Sequence, residues 1–458
     1  MYQIDFNRPI HIYFIGIGGI SMSGLAEILL SEGFRVSGSD MKETELTDSL
    51  EEKGAVIHYG QQTSHLTSDI DLVVYTSAIH PDNPEYISMK ELHLPSLSRA
   101  ELLGQMMKNY KLPVAVSGTH GKTTTTSMIA EILLENNSDP TLSIGGIFKD
   151  IGGNIRIGKS DYFITEACEY TNSFLSFFPK IGIILNIEED HLDFFKDIHD
   201  IRRSFRRFAE LIPEDGTLII NGSIEHYEEI AGGLPCRVIT YGTSDACDYY
   251  CSDISYDGYA HALFTLHSPE EESRFALAVP GEHNVSNAMA AVALADLFGI
   301  ERRVVQKALL HFTGTDRRFE YKGKKNGFTI IDDYAHHPTE ITATLKAAQN
   351  YPHHTLWCVF QPHTYTRTKT FLHDFSKALL LADKVILADI YAARETDTLG
   401  ISSKDLQEEI LRMGGDCFYF PSFESIEKFI LENCLKDDLL ITMGAGDVVK
   451  IGENLLRK

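Results

Sequence analysis

The stretch Val114-Ala115-Val116-Ser117-Gly118-Thr119-His120-Gly121-Lys122-Thr123-Thr124 decides the fold. An apolar run from Leu112 to Val116 breaks into glycines, then a lysine and hydroxyls. The residues that follow put Met128, Ile129, Ile132 and Leu133 on one helical face. Strand, glycine loop and helix start together make an anion cradle, because backbone N–H groups and the helix dipole both favour negative charge there. Lys122 is placed to reach the outer phosphates of a nucleotide, and Thr123 to offer a hydroxyl to Mg²⁺. Val116 stands where the standard phosphate loop has its first glycine, so the loop is a shorter variant spanning Gly118 to Thr124. An ordinary glycine-rich turn is the competing reading. Gly-Lys-Thr opening a helix after an apolar strand is the more specific signal.

Outward from that loop, 458 residues at 43% hydrophobic content suffice for about three domains, each with its own core. The net charge of -24 argues against nucleic acid or an anionic membrane as the main partner. An anionic nucleotide still fits, because local N–H groups override the global field. Seven scattered cysteines, with only Cys247 and Cys251 close together, predict a reduced cytoplasmic chain. Met1 to Asp5 lacks the basic and apolar pattern of a signal peptide, and no stretch has the length of a membrane span.

Before the phosphate loop, residues 10–16 read as a buried strand leading into Gly16-Ile17-Gly18-Gly19-Ile20-Ser21, then a helix to about Leu30. This is a dinucleotide fingerprint with Ser21 at its third glycine. A second strand ends in Asp40, an acid at the distance that suits a ribose or sugar hydroxyl. Nicotinamide binding and plain helix–strand packing both account for this pattern. A third strand, 71–75, leads into Thr76-Ser77-Ala78-Ile79 on the same sheet edge, and the unit closes near Lys111.

After the loop, one strand ends in Glu166 and another, 181–185, leads through Asn186 to Glu188-Glu189-Asp190-His191. Their ends converge beside the phosphate loop in a parallel sheet. Glu166 supplies an oxygen ligand of the kind Mg²⁺ prefers. His191 is a less usual ligand, and a surface or cap histidine is its competing reading. The stretch to about Phe275 gives no clear period. Asn284 and Asn287 open an alanine-rich helix, where they suit an adenine edge or simple capping. Arg317-Arg318-Phe319 marks the exit into a third α/β unit. Its strand ends carry Asp332-Asp333-Tyr334-Ala335-His336-His337-Pro338 and Gln361-Pro362-His363-Thr364-Tyr365-Thr366-Arg367. A site facing the middle unit, or a polar turn before Pro338, explains the two histidines.

These pieces in this order resemble the Mur ligase superfamily over nearly the whole chain, and within it the alanine-adding branch. The resemblance implies an α/β protein of three domains. These are a Rossmann-like sugar-nucleotide domain (1–111), a central P-loop-type ATPase domain (112–316) and a Rossmann-like amino-acid domain (317–458). It implies an ATP- and Mg²⁺-dependent amide ligase for UDP-N-acetylmuramate and L-alanine in peptidoglycan synthesis, monomeric or homodimeric. Gly16, Gly18, Gly19, Asp40 and Ser77 would then face the UDP sugar. Gly118, Thr119, His120, Gly121, Lys122, Thr123 and Thr124 would hold phosphates, and Thr123, Glu166 and His191 the metal ions. Asn284 and Asn287 would meet adenine, with Arg318 and Asp333 completing that site. His337, His363, Tyr365 and Arg367 would line the side where sugar carboxylate and alanine meet. Lys122, Glu166, His191 and His337 would be the catalytic set, with His337 or bulk water taking the amine proton.

The chain departs from the family pattern at Cys168, where many members carry an acid, and at Thr364, where many carry arginine. It has no lysine between Asp197 and Val304, which favours the alanine-adding branch over later ligases that use a carbamylated lysine. Three rivals compete. One is the recycling ligase that attaches a ready-made tripeptide to the same sugar. The others are a nicotinamide dehydrogenase, weakened by Ser21, and a non-catalytic nucleotide-binding regulator.

Overall fold

The computed structural model describes residues 2–76, 79–393 and 395–457. The expectation for Ser77 therefore falls outside the described residues. Three sheets follow one another along the chain.

The first holds β1 (His11–Ile15), β2 (Arg35–Asp40), β3 (Val56–Tyr59), β4 (Leu72–Tyr75) and β5 (Ser96–Ser98), all parallel, in the order β3-β2-β1-β4-β5. The order reverses at β1, so the carboxyl edge beside the Gly16–Gly19 loop is the ligand-binding edge of such a sheet.

The middle sheet has ten strands. They are β6 (Leu112–Ser117), β7 (Thr141–Phe148), β8 (Gly153–Arg156), β9 (Tyr162–Ala167), β10 (Ile181–Ile184), β11 (Thr217–Asn221), β12 (Arg237–Gly242), β13 (Tyr249–Tyr256), β14 (His261–His267) and β15 (Glu272–Pro280). Its order is β15-β14-β13-β12-β11-β10-β6-β9-β7-β8. The strands from β7 to β13 are parallel, and antiparallel pairs extend both ends. Residues up to Phe275 that give no clear period thus become the helix Ile198–Ala209, two parallel strands and an antiparallel meander. Central strands are covered on both faces: Val114 and Val116 join one core while Ala115 joins the other.

The third sheet holds β16 (Glu320–Lys325), β17 (Phe328–Asp333), β18 (Leu356–Phe360), β19 (Lys384–Leu387), β20 (Cys417–Tyr419) and β21 (Leu439–Met443), in the order β16-β17-β21-β18-β19-β20. Only the edge strand β16 runs antiparallel.

The first two units share one apolar core, in which Leu102, Leu103 and Met107 belong with Phe174, Phe177, Phe205 and Phe208. Two glycines permit the approach. A Cβ on Gly104, in the helix Arg99–Met107, would lie 1.9 Å from the carbonyl oxygen of Ser176. One on Gly24, in the helix Ile20–Ser31, would lie 2.2 Å from Cγ1 of Ile155. The third unit meets the middle one through polar groups instead. Thr339 donates to Glu188, Arg367 pairs with Asp190, and Lys149 pairs with Glu320. No helix among the described residues is long and apolar enough to cross a membrane.

Candidate active site

The phosphate loop runs from the end of β6 into the helix Lys122–Glu135. Gly121 caps that helix at φ +82°, a left-handed backbone that glycine adopts without steric cost. Space also demands glycine there, since a Cβ would sit 2.6 Å from Oδ1 of Asn287. The Lys122 side chain folds back inside the loop. Its Nζ donates to the carbonyls of Gly118 (2.5 Å) and Thr119 (3.1 Å) and pairs with Glu169 at 3.0 Å. Burial works against its charge, but Glu169 and its neighbours hold the ammonium pKa above its usual value.

Thr123 and Glu166 come together beneath the loop. The Thr123 hydroxyl donates to Oε2 of Glu166 at 3.1 Å, and the N–H of Gly145 donates to Oε1 at 2.5 Å. Burial raises the Glu166 pKa, opposed by the Gly145 N–H and by Lys122. Hydroxyl and carboxylate oxygens side by side at a phosphate loop are donors that suit Mg²⁺. His191, at φ +53°, stacks its ring on Tyr170 at 4.4 Å and lies within electrostatic reach of Asp190, Glu169 and Lys122.

One cleft opens over the loop and joins the middle and third units. It is lined by His120, Gly121, Thr124, Asn284, Asn287, Arg318 and Asp333, all singled out from the sequence. Asn284 does not cap its helix: its amide donates to the Pro280 carbonyl and accepts from Asn287. Asp333 accepts backbone N–H groups from Phe319 and Ala335, and burial pushes its pKa up to about 6 against the pull of Arg318.

Sequence reasoning gave no role to Asn186, Glu188, His283 or Glu340, which line the same cleft. The Asn186 amide accepts from the His120 N–H (2.8 Å) and donates to its carbonyl (3.0 Å), which fixes the loop's crest. The His120 ring sits between two carboxylates, Glu340 at 3.0 Å and Glu188 at 3.5 Å. Burial alone would lower its pKa, yet the two acids raise it to about 9.

A second cleft lies on the other side of the segment 188–191. Tyr170, Asp190, His191, His363, Thr364, Thr366, Arg367 and Glu395 line it. Arg367 donates to Oδ1 of Asp190 at 2.9 Å and lies 3.1 Å from Nδ1 of His363. Burial opposes ionisation of Asp190, but Arg367 and nearby histidines hold its pKa well below the carboxylate range. Burial lowers the His191 pKa, so its imidazole is neutral at pH 7.

One expectation needs correction. His337 does not offer a free ring nitrogen. Its Nδ1 accepts from the Thr339 N–H as the helix cap (3.4 Å), and its Nε2 faces the Glu189 carbonyl at 3.1 Å. Pro338 at the next position starts the helix and sets that geometry. Tyr365 opens the short helix Tyr365–Thr370, between Thr364 and Thr366, which line the second cleft. In the first unit, Asp40 binds its own loop: Oδ2 accepts from the Gly18 N–H at 2.8 Å. Gly16 turns at φ +82° ahead of Gly18 and Gly19.

Comparison with known proteins fits this layout. The chain matches the Mur ligase family catalytic domain over residues 11–111, the Mur ligase middle domain over 116–295 and the Mur ligase glutamate ligase domain over 317–446. The chain is a Mur ligase. Among its relatives, the UDP-N-acetylmuramate–L-alanine ligase of Agathobacter rectalis is 61% identical, and that of Lachnospira eligens 58%, each over the full length of both chains. Among solved structures, the UDP-N-acetylmuramate–alanine ligase of Thermotoga maritima superposes with a TM-score of 0.80 at 29% identity, covering 98% of each chain. A murein peptide ligase from Psychrobacter arcticus gives 0.72 at 26%, with the same coverage. In this Mur ligase, then, the phosphate loop, the two clefts and the carboxyl edge of the first sheet belong to one scaffold.

Proposed function

We propose that this Mur ligase joins L-alanine to the lactyl carboxylate of UDP-N-acetylmuramate at the expense of ATP, releasing ADP and phosphate. The observation that carries the reading is the 61% full-length identity to a ligase of that name. The geometry agrees, because two clefts share the wall 188–191 and each is completed by the third unit.

The chemistry needs both clefts. A carboxylate cannot expel oxide, so direct attack by an amine is too slow. Transfer of the ATP γ-phosphoryl group to the carboxylate oxygen breaks the bond to the β-phosphate and forms an acyl phosphate, whose leaving group is phosphate. Lys122, Gly118, Thr119, Gly121 and Thr124 cradle the phosphates of ATP, and the Lys122 charge counters the charge that builds during transfer. Thr123 and Glu166 would hold Mg²⁺, which would neutralise phosphate charge when bound. Asn284 and Asn287 meet the adenine, with Arg318 and Asp333 closing the cleft.

Alanine occupies the second cleft, where Arg367 and His363 receive it and the neutral His191 faces the reacting carboxylate. The amine attacks the acyl carbon, phosphate leaves, and the amine proton passes to solvent, since both nitrogens of His337 are engaged. Gly16, Gly18, Gly19 and Asp40 shape the edge that takes the sugar nucleotide.

A phosphate-release assay with ATP, Mg²⁺, UDP-N-acetylmuramate and a panel of amino acids tests this reading. Release that needs both the sugar and L-alanine is expected. Turnover with the tripeptide but not with alanine would transfer the protein to the recycling branch.

A further inference from the structure

Partly buried arginines in this chain follow a rule with two exceptions. Arg156, Arg202, Arg206, Arg302, Arg317 and Arg367 each lie within 4.0 Å of a carboxylate. Arg99 and Arg318 are equally half-buried but, among the described residues, form no ion pair. Arg318 lines the first cleft, where it acts on the carboxylates of Asp333, Glu340 and Glu166 without pairing with any of them. Arg99 has no such carboxylate among the described residues: burial works against its charge, and what favours it is the nearby Cys168. With 65 acidic residues against 41 basic ones, the chain has carboxylates to spare. A desolvated guanidinium without one is therefore a cost that an anionic ligand can offset.

The surroundings of Arg99 say where that anion comes from. Arg99 opens the helix Arg99–Met107 just past β5, at the carboxyl edge of the first sheet. Its Nη1 donates to the Ser21 hydroxyl at 2.9 Å, in the first turn of the helix that follows the Gly16–Gly19 loop. That turn carries no acidic residue and its Gly19 cap offers no side chain. Arg99 and Lys122 both act electrostatically on the thiol of Cys168, which puts the guanidinium on the side of the first unit that meets the phosphate loop. Gly104, about one and a half turns on, presses the same helix onto the backbone of Ser176, so the helix that carries Arg99 is held against the middle unit.

We propose that Arg99 binds the sugar nucleotide through its diphosphate, which it meets at the Ser21 end of the β1 loop. This rests on the reading of the first unit as the sugar-nucleotide site. Arg99 is a binding residue and takes no part in bond making. The lactyl carboxylate is the other anion of the same ligand, and it belongs on the Lys122 side.

Calorimetric titration of the full chain separates the possibilities. Wild type, Arg99→Gln and Arg99→Lys are titrated with UDP-N-acetylmuramate, UDP-N-acetylglucosamine and ATP. The second sugar keeps the diphosphate but lacks the lactyl carboxylate. Arg99→Gln should raise Kd for both sugar nucleotides by a similar factor, about ten- to a hundredfold for a lost charge-assisted bond. ATP affinity and the melting temperature should stay unchanged, and Arg99→Lys should recover part of the loss. Unchanged sugar-nucleotide binding in Arg99→Gln would overturn the proposal. A loss confined to UDP-N-acetylmuramate would overturn the diphosphate assignment in favour of the carboxylate. Failure of the wild type to bind UDP-N-acetylmuramate would instead overturn the reading on which the proposal stands.

Discussion

Replacing Glu340 with glutamine removes the nearer of the two carboxylates that face the His120 ring, 3.0 Å from Nδ1, and leaves Glu188 at 3.5 Å. In the intact protein the acids lift the His120 pKa from 6.5 to about 9 despite burial. At roughly 1.4 kcal/mol per pKa unit, that rise is worth about 3 kcal/mol shared across the cluster. A histidine raised in this way stabilises the fold fully below its unfolded pKa and loses that contribution as pH climbs through the folded one. The window therefore runs from about pH 6.5 to about pH 9. Glu340, held well below its usual value, stays ionised across the window. Because His120 belongs to the phosphate loop and Glu340 to the third unit, what weakens at high pH is the grip of that unit on the nucleotide cleft. Histidine-selective NMR titration, with His120→Gln to assign the resonance, reads the effect. The wild-type ring should titrate near 9 and the Glu340→Gln ring at least about one unit lower. A wild-type His120 titrating at or below 6.5, or one unmoved by the substitution, would refute the reasoning.

Lys122→Ala should lower turnover at least ~10²-fold in a folded protein, since a cation on the transferring phosphoryl group acts in a dry site. Single-turnover phosphate release, with a melting curve beside it, checks this. Glu166→Gln should raise the Mg²⁺ concentration needed for half-maximal rate about tenfold or more while UDP-sugar affinity holds, measured by Mg²⁺ titration of the rate. His191→Ala should reduce turnover far more than ATP affinity, because its ring faces the second cleft; a loss of ATP affinity alone would contradict its placement. Heavy oxygen placed in the sugar carboxylate should appear once in the released phosphate, and label in AMP would show adenylation instead.

The parallel strands and their loops were legible because buried β-branched runs ending in glycine, acid or asparagine carry a strong local signal, as β1, β6, β10 and β17 do. The three-residue strands β5 and β20 are too short for a period to emerge. The meander β13–β15 was obscured by polar residues on its open face, although β15 alternates buried with half-buried or exposed positions from Arg274 to Val279. The cleft residues in the Gly118–Thr124 and Gly281–Asn287 motifs could be read directly, since each motif is local. Glu188 and Glu340 could not, because their role exists only when segments some 150 residues apart meet around His120. His337 misled for the opposite reason: its place before Pro338 made it a helix cap, and a cap spends the ring nitrogen that a base needs.

The shared core between the first two units has a mechanical consequence. Parting Leu103 and Met107 from Phe174 and Phe177 would wet apolar surface, whereas the third unit meets the middle one through discrete polar contacts such as Arg367–Asp190 and Thr339–Glu188. The Gly104 and Gly24 approaches also leave no room to slide. The molecule thus has one solid anvil, made of the sugar-nucleotide edge and the phosphate loop, and one hammer. The carboxylate that attacks the γ-phosphoryl group and the loop that holds that group belong to one solid body, and the bearer of the amine has to travel.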